Sequence, residues 1–349
     1  MKKVILFTLL ILIMGVVGWV VDLLWTAGQF KTIEPHFAGQ CNPVMGVIGA
    51  EDITLHPRTG VAFISACDRR AVIEGRPGRG GIYAYDLNAN TPGLVNLTPD
   101  ASEDFQPHGI SLFVGEDGND TLFIINHEAG KHQIEIYDLK NEKLVHRKTI
   151  SDPMLVSPND LVAVGPNSFY VTNDHRFVSG FKRIIEDYMR LSLSNVLYYD
   201  GSHFKETASG YAYANGINVS ADGNILYLSA TSKRTLYIFD RDPTTGKLSR
   251  REKIKLGTGL DNIEMDKEGG LWIGAHPQLL SFVKHTKDPS ALSPSQILHL
   301  TPRLDGSYDI KEAYLNAGDE ISGSSVAAVL NDRMLIGSVF EPKFLDCQK

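Results

Sequence analysis

The sequence contains few cysteines and none of the short motifs that mark several enzyme classes. Its three cysteines are Cys41, Cys67 and Cys347, and no CxxC spacing occurs. The spacing therefore gives no indication of a zinc site or a dithiol redox centre. No GxSxG motif is present either, which excludes the nucleophile elbow of α/β-hydrolases.

Positive charge is also scarce. The chain has 34 Lys and Arg against 41 Asp and Glu, a net charge of −7, and no run of five or six basic residues. Because nucleic-acid binding depends on clustered positive charge, we expect no nucleic-acid partner. With 349 residues, of which 43% are hydrophobic, the chain can bury a large core. Its 32 glycines separate short Val, Ile, Tyr and Phe runs, which indicates many short strands.

The N-terminus is the one long apolar segment. Residues 4–21 carry no charge, Lys2 and Lys3 precede them, and Asp22 follows. This length suits a membrane span, and the cleavage site at residues 25–27 is poor, so we predict an uncleaved signal anchor over residues 1–25. The flanking charges place the N-terminus inside and the main domain outside. The protein is then membrane-anchored with an extracytoplasmic domain, or secreted if the segment is cleaved; a buried core helix is the other interpretation.

Six hairpins of one design follow a linker over residues 26–40. Each opens with a polar residue, continues as an apolar strand, turns, and closes with a second apolar strand. Their starts lie about 55 residues apart on average, between Glu51 and Ser324. Four strands per repeat predict an all-β, six-bladed β-propeller over residues 41–349. A pair of β-sandwiches is the alternative, but it does not explain the regular spacing.

The polar residues that open the hairpins should ring one end of the central channel. Four of the six openings supply Asp, Glu or Asn oxygens, and converging carboxylates and amides need a cation between them. Oxygen ligands without cysteine favour Ca²⁺. Turn-forming Asn and Asp are the alternative explanation for each residue alone. The opening residues are Glu51, Asp52, His108, Asn159, Asp160, Asn215, Asp261, Asn262 and Ser324.

Histidines cluster at the same predicted face. His108 opens its hairpin and His127 closes it, so antiparallel pairing brings both beside the proposed metal, where imidazole can move protons near neutral pH. Asp174, His175 and His276 end their own strands at that face, and we interpret the two histidines as structural or rim residues rather than catalytic ones. The stretch from His127 to His132 is one residue too long for an HExxH zinc motif and contains a glycine.

A stretch of helical periodicity interrupts the strand pattern. Residues 177–195 place apolar side chains at mostly helical spacing between charged ones, which predicts a short amphipathic helix. Because it follows Asp174 and His175, this helix lies over the predicted active-site face. It would cover the site, rest on a membrane surface, or simply pack on the propeller.

The chain resembles the serum paraoxonases, which are calcium-dependent lactonases and arylesterases with a six-bladed propeller. The resemblance spans residues 41 to 347. The matching stretches are Glu51-Asp52, Ala62–Ser65, Pro107–Ser111, Asn126-His127, Asn159–Pro166, Thr172–His175, Ala214–Asn218, Asp261-Asn262 and Leu335–Phe340.

The resemblance implies two calcium ions and a set of site residues. It places the family's histidine pair on His108 and His127 and its disulfide on Cys41 and Cys347, leaving Cys67 as a small buried residue. The structural calcium falls on Asp52, Asp160 and the backbone carbonyl of Ile110. The catalytic calcium falls on Glu51, Asn159, Asn215, Asp261 and Asn262. The loop over residues 67–81 and Ala275 depart from the family pattern.

We therefore predict a calcium-dependent hydrolase of small-molecule lactones and aryl esters. In this hypothesis Ca²⁺ polarises the carbonyl, while His108, assisted by His127, deprotonates the attacking water. Glu51 is the alternative base. Two other functions stay open: a sugar lactonase or strictosidine-synthase-like propeller enzyme, and a non-catalytic propeller that calcium stabilises and that binds a partner through its face.

Overall fold

Antiparallel hairpins form most of the computed structural model, which describes residues 1–116 and 118–349. They are arranged in six sheets. The first sheet contains β3 (Ala50–Leu55), β4 (Val61–Ala66), β5 (Gly81–Asp86) and β6 (Leu94–Asn96). The second contains β7 (Pro107–Phe113), β8 (Asp120–Asn126), β9 (Gln133–Lys140) and β10 (Lys143–Ser151). The third contains β11 (Pro158–Ala163), β12 (Phe169–Asn173), β13 (Ser194–Tyr199) and β14 (Phe204–Tyr211). The fourth contains β15 (Ala214–Val219), β16 (Ile225–Ala230), β17 (Thr235–Arg241) and β18 (Leu248–Lys255).

The last two sheets each include a strand from the N-terminal part of the chain. The fifth combines β19 (Gly259–Met265), β20 (Leu271–His276), β21 (Ser295–Pro302) and β22 (Tyr308–Asn316) with β1 (His36–Phe37). The sixth combines β23 (Ser324–Leu330), β24 (Arg333–Ser338) and β25 (Lys343–Gln348) with β2 (Gln40–Met45). The first strand of each blade contacts the first strands of both neighbouring blades, and β23 returns to β3. The six sheets thus close into the predicted six-bladed propeller.

Strand composition follows position within the blade. The second strand of a blade is covered on both faces, and β8 is buried along its whole length. Such strands are nearly continuous apolar runs, whereas an outer strand such as β18 is mostly exposed and carries Arg and Lys. Six buried apolar clusters form the core of the described residues, and each joins two adjacent blades.

The ring closes where the two ends of the propeller meet. Strand β2 pairs with β25, and Cys41 lies opposite Cys347 in that register. These two cysteines form a disulfide, and Cys67 is a buried free thiol. The pairing that the resemblance implied is therefore present.

Four α-helices accompany the strands in the described part of the chain: α1 (Lys2–Thr26), α2 (Arg69–Ile73), α3 (Gly180–Tyr188) and α4 (Leu279–Lys287). Helix α1 is exposed over its apolar length and is long enough to cross a membrane, as a signal sequence would also be. Helix α3 is the predicted amphipathic helix, but it is shorter than residues 177–195. It ends where Arg190 adopts a left-handed backbone (φ 51°) and the Leu191 N–H bonds the Glu186 carbonyl.

Candidate functional site

The first strand of each blade bulges near the residues predicted to line the channel. In five blades the bulge includes the predicted residue, and in the sixth it lies at Ser325, one residue after the predicted Ser324. In β11, for example, Pro158 pairs with Asn173 and Leu161 with Val171, so Asn159 and Asp160 together face one partner residue. A bulge breaks the strict alternation of side chains and re-aims them. All six first strands shift register in this way, at Glu51, His108-Gly109, Asn159-Asp160, Asn215-Gly216, Asp261-Asn262 and Ser325.

Two glycines allow the bulged backbones to approach closely. A Cβ on Gly216 would lie 2.4 Å from the Asp261 carbonyl oxygen and 2.6 Å from the Asn262 Cα. A Cβ on Gly109 would lie 2.6 Å from the Asp160 Cα. Since real Cβ atoms do not approach backbone this closely, glycine is required at both positions for the polar residues of neighbouring blades to meet.

The five residues assigned by resemblance to a catalytic calcium lie together and are 2–4% exposed. The Asn215 Nδ2 donates to Asp261 Oδ1 at 2.6 Å, and the Asn262 Nδ2 donates to Glu51 Oε1 at 2.9 Å. The amide nitrogens are therefore engaged, while four buried oxygens have no hydrogen-bond partner. These are Glu51 Oε2, Asn159 Oδ1, Asn215 Oδ1 and Asn262 Oδ1.

Unpartnered buried oxygens are costly, and several in one place indicate a missing electropositive ligand. Two carboxylates and three amide oxygens match the hard oxygen donors that Ca²⁺ takes. Within residues 1–116 and 118–349, no group of three or more His, Cys, Asp or Glu side chains is placed to hold a metal ion. The donor set present is thus a mixed one in which asparagine contributes most of the side chains.

Asp52 and Asp160, assigned to a structural calcium, lie one residue further along their strands. Asp52 Oδ2 accepts the Ile110 N–H at 2.7 Å, and Asp160 Oδ2 accepts the Ile217 N–H at 2.8 Å. Burial and neighbouring negative charge raise the pKa of both carboxyl groups well above the usual range. Both residues and Ile110 line a second cavity of about 740 Å³, towards the other ends of the inner strands.

Glu51 is held ionised despite complete burial. Burial raises its pKa, but the neighbouring His108 and Arg69 and the hydrogen bond from Asn262 lower it to about 2. Burial raises the pKa of Asp261, and the bond from His276 at 2.7 Å offsets this only in part. Negative charge is therefore concentrated in the ring of oxygens, which favours a bound cation.

The structure brings the predicted histidine pair together. His108 Nδ1 lies 2.9 Å from His127 Nε2, and His108 Nε2 lies 3.6 Å from Glu51 Oε2. Burial, with the nearby His108 and His132 rings, lowers the pKa of His127 well below its usual value. His127 is therefore neutral at physiological pH, and its Nε2 or Nδ1 can accept a proton from a neighbouring ring.

Asp174, His175 and His276 are buried at the same face, whereas Ser324 is buried with its hydroxyl donating to the Gln296 carbonyl at 3.3 Å. His175 Nδ1 lies 2.8 Å from Asp174 Oδ1, and its Nε2 lies 2.6 Å from Asp187 Oδ1 on α3. These two carboxylates outweigh burial and raise the pKa of His175 to about 9. His175 is therefore a buried link between α3 and the site. His276 stacks on Phe282 at 3.9 Å between ring centroids.

Two charged or titratable side chains that lie against Glu51 or the histidine pair were not predicted from the sequence. Arg69 of α2 places Nη2 3.6 Å from Glu51 Oε2, in the loop whose sequence departs from the family pattern. His132 Nδ1 lies 2.8 Å from His127 Nδ1. The arginine-rich composition of residues 67–81 was the available indication for Arg69. For His132 the indication was its spacing of five from His127, across a glycine-containing turn.

A cavity of about 430 Å³ opens above the ring of oxygens. Glu51, His108, Asn159, Asn215 and Asp261 line its floor. Its wall is largely apolar and comes from the end of α1, from α3, from α4 and from the segment after β24. The wall residues include Leu23, Tyr188, Leu280, Phe282, Val283 and Phe340.

Comparisons with known proteins identify the family and the fold of the chain. A family model described as Arylesterase matches residues 32–348. The chain is 34% identical to human serum paraoxonase/arylesterase 1 over 331 residues, 91% of each chain, and 33% identical to rat serum paraoxonase/arylesterase 2 over 312 residues, 86% of each. Among solved structures, it is similar to a calcium-binding protein, regucalcin, from Agrobacterium tumefaciens, with a TM-score of 0.54 and 14% identity over 91% of this chain and 95% of the other. It is also similar to a gluconolactonase from Xanthomonas campestris, with a TM-score of 0.54 and 14% identity over 91% of this chain and 99% of the other.

Proposed function

The chain belongs to the arylesterase family and is an ester hydrolase of the paraoxonase type, and from this premise we propose that it hydrolyses lactones and aryl esters with the help of bound calcium. The observation that carries the proposal is the group of four unpartnered buried oxygens beside a histidine pair. The regucalcin neighbour is described as calcium-binding, which is consistent with this choice of metal.

Glu51, Asn159, Asn215, Asp261 and Asn262 would hold the catalytic ion. When bound there, Ca²⁺ supplies a Lewis acid that polarises the substrate carbonyl and stabilises the oxyanion. We assign a second, structural ion to Asp52, Asp160 and the Ile110 carbonyl. The raised pKa values of these two carboxyl groups support the assignment, because a cation would relieve the repulsion between them.

His108 is the proposed general base. Its Nε2 faces the floor of the cavity and takes a proton from water as the water oxygen attacks the carbonyl carbon. The carbon–oxygen bond of the lactone or ester then breaks, and the leaving oxygen receives a proton from the histidine pair. Glu51 is the alternative base, and it is the weaker candidate because its carboxylate is also proposed to hold the ion, which would make it a poorer proton acceptor than a neutral imidazole.

The apolar cavity wall supports substrates with an aryl or alkyl group next to the scissile bond. Leu280, Phe282, Val283 and Phe340 offer contact surface and no charge. The structural neighbour described as a gluconolactonase shares the fold with this chain at low identity. Sugar lactones therefore belong in any assay as the second candidate class.

The proposed location is a membrane, with residues 1–25 as the anchor, 26–40 as the connecting segment and 41–349 as the catalytic domain outside. Helix α1 exposes its apolar side chains, and Lys2 and Lys3 favour the inner side. The Cys41–Cys347 disulfide supports an oxidising compartment for the domain.

A lactone panel assayed with and without a calcium chelator tests the proposal. The panel should contain aliphatic and acyl-homoserine lactones, aryl acetates and gluconolactone, and the full-length protein should be kept in detergent. We expect hydrolysis of the apolar substrates, its loss after chelation and its return when calcium is added. Full turnover after complete removal of calcium would refute the mechanism, and a preference for gluconolactone would favour the sugar lactonase.

A further inference from the structure

His132 extends the histidine pair into a chain of three rings. The N···N distances are 2.9 Å from His108 to His127 and 2.8 Å from His127 to His132, and the ring centroids are 5.1 and 4.9 Å apart. His108 is largely covered, with 18% of its side chain exposed, whereas His132 is half-buried and reaches the surface. The chain thus leads from the floor of the cavity to solvent.

A tight turn brings His132 to this position. Ala129 (φ 52°) and Gly130 (φ 71°) both adopt left-handed backbone, and the Gly130 N–H bonds the His127 carbonyl. Asn126 Oδ1 accepts the Glu128 N–H at 3.1 Å and so fixes the start of the turn. A left-handed alanine is unfavourable, so the surrounding contacts must hold this geometry.

The two contacts constrain where the protons sit. A neutral imidazole carries one N–H, so the protons point either all outward, from His108 to His132, or all inward. In the outward pattern His127 Nδ1–H donates to His132 Nδ1 and His108 Nδ1–H donates to His127 Nε2. The Nε2 of His108, which faces Glu51, is then unprotonated, as a base requires. In the inward pattern that atom carries a proton and can give it to a leaving oxygen.

We propose that His132 is a positioning residue that holds His127 in the outward tautomer and passes its proton to solvent during turnover. This inference rests on the proposed function. The proton count closes over the two halves of the reaction. As water attacks, it gives a proton to His108 Nε2, His108 Nδ1 gives one to His127 Nε2, His127 Nδ1 gives one to His132 Nδ1, and His132 Nε2 gives one to solvent, which leaves the rings in the inward pattern. When the leaving oxygen takes the proton from His108 Nε2, each ring passes a proton back, His132 Nε2 takes one from solvent, and the outward pattern is restored. Over the cycle one O–H bond of the attacking water breaks and one O–H bond forms on the leaving oxygen.

The surroundings favour a mobile proton over a stored one. The charged groups that act on the three rings are Arg69, Glu51 and Asp174. Burial lowers the pKa of both His127 and His132, and Asp174 opposes this. Neither ring therefore keeps the positive charge, which leaves through the half-buried His132.

Kinetics of His132→Gln test the inference, with His203→Gln as the matched control on an exposed loop. We expect kcat to fall by about ten- to a hundredfold with KM nearly unchanged, and added imidazole to restore much of the loss. The control should keep wild-type values. In a double-mutant cycle, His132→Gln should cost little more once His127 has been replaced by Gln.

A second readout does not depend on activity. In ¹⁵N-histidine NMR of the full-length protein, the His127 ring shifts should report a protonated Nδ1, and His132→Phe should change them. Unchanged shifts in that variant, or an unaffected or imidazole-insensitive kcat in His132→Gln, would overturn the inference. If the wild-type protein hydrolyses no lactone or ester, the proposed function fails, and the NMR comparison alone decides whether His132 sets the tautomer.

Discussion

Among single residues, the asparagines of the site differ from ordinary buried asparagines. Asn215 and Asn262 use their amide nitrogens to hold Asp261 and Glu51, and both leave the oxygen without a partner. A structural asparagine would satisfy both ends. Their orientation is the one that the proposed cation in front of the oxygens would require.

Replacing Asn215 by Ala removes one of these oxygens. We expect lactone or ester hydrolysis to fall by more than about a hundredfold, because electrostatic stabilisation of the oxyanion is the largest single contribution to catalysis. The loss should exceed that of His108→Gln. Asn167→Ala, at an exposed position between β11 and β12, is the control and should stay active. A folded Asn215→Ala protein with full activity would favour a binding propeller instead.

His175 gives the fold a pH dependence. Its pKa is raised to about 9 in the folded protein from an ordinary value of 6.5, so protonated His175 stabilises the fold below about pH 6.5 and this contribution disappears as the pH rises through about 9. A pKa shift of this size corresponds to a contribution on the order of 3 kcal/mol to the free energy of unfolding.

Denaturant unfolding between about pH 6 and about pH 9 checks this expectation. Wild type should lose more unfolding free energy over this range than His175→Gln, in which the titrating group is absent. His203→Gln, which changes an exposed histidine, should behave like wild type. Equal pH dependence in wild type and His175→Gln would contradict the assignment of the charged network to His175, Asp174 and Asp187.

The sequence could predict which residues meet in the site more readily than how each is bonded. Equivalent repeat positions predicted the proposed metal ligands without any contact information. Arg69 and His132 lie on connections outside the repeat, so periodicity says nothing about where their side chains point. Their roles depend on a short helix and a left-handed turn, neither of which has a sequence pattern that fixes its position.

For individual elements, the bulge in each inner strand is the feature that builds the site. Strand periodicity alone would turn consecutive residues such as Glu51 and Asp52 to opposite faces. The register shift lets strand β3 supply both Glu51, one of the buried oxygen donors below the cavity, and Asp52, one of the carboxylates assigned to the structural ion. Adjacent Asp, Glu or Asn residues at three of the six openings were visible in the sequence, but the bulge was not.

Gly216→Ala should strain this arrangement, because its Cβ would meet the backbone of Asp261 and Asn262. We expect a loss of about 1–3 kcal/mol in unfolding free energy, as overpacking typically costs, together with weaker calcium binding. Gly93→Ala is the matched control, since no atom lies within 4 Å of its added Cβ. Equal unfolding midpoints for the two variants would show that the blades can separate at this point without cost.

The helices were predictable in kind and less so in extent. Apolar and amphipathic patterns indicated α1 and α3, but the left-handed Arg190 that ends α3 has no signature in the periodicity. Arg190 also pairs with Asp22 and Thr26 at the end of α1. This contact between distant segments brings the proposed anchor helix to the wall of the cavity, and no sequence pattern predicts it.

On the scale of the whole molecule, closure of the ring decides whether the site exists at all. Strand β2 completes the sheet of β23 to β25, and the disulfide joins residues 306 positions apart. The six-fold repeat was recognisable in the sequence because each blade uses the same hairpin. The spacing of the hairpins does not predict that β2, from the N-terminal part of the chain, is the strand that completes the sixth sheet and closes the ring.

Removing the disulfide by Cys41→Ser should lower the unfolding free energy by about 2–5 kcal/mol, since the bond restricts the unfolded chain over a long loop. Cys67→Ala, which removes a thiol and no cross-link, should have a smaller effect. The comparison uses denaturant unfolding under non-reducing conditions. If both variants unfold at the same denaturant concentration, the strand pairing closes the ring unaided.

Calorimetric titration of calcium into the chelator-treated, full-length protein is the most direct test of the account. Side chains from four different blades bring their oxygens together in one buried group. This arrangement predicts saturable calcium binding, and Asn262→Ala should abolish binding at the catalytic site and leave the second site intact. A wild-type protein that takes up no calcium, or an Asn262→Ala protein that binds it as tightly and in the same amount, would contradict the account.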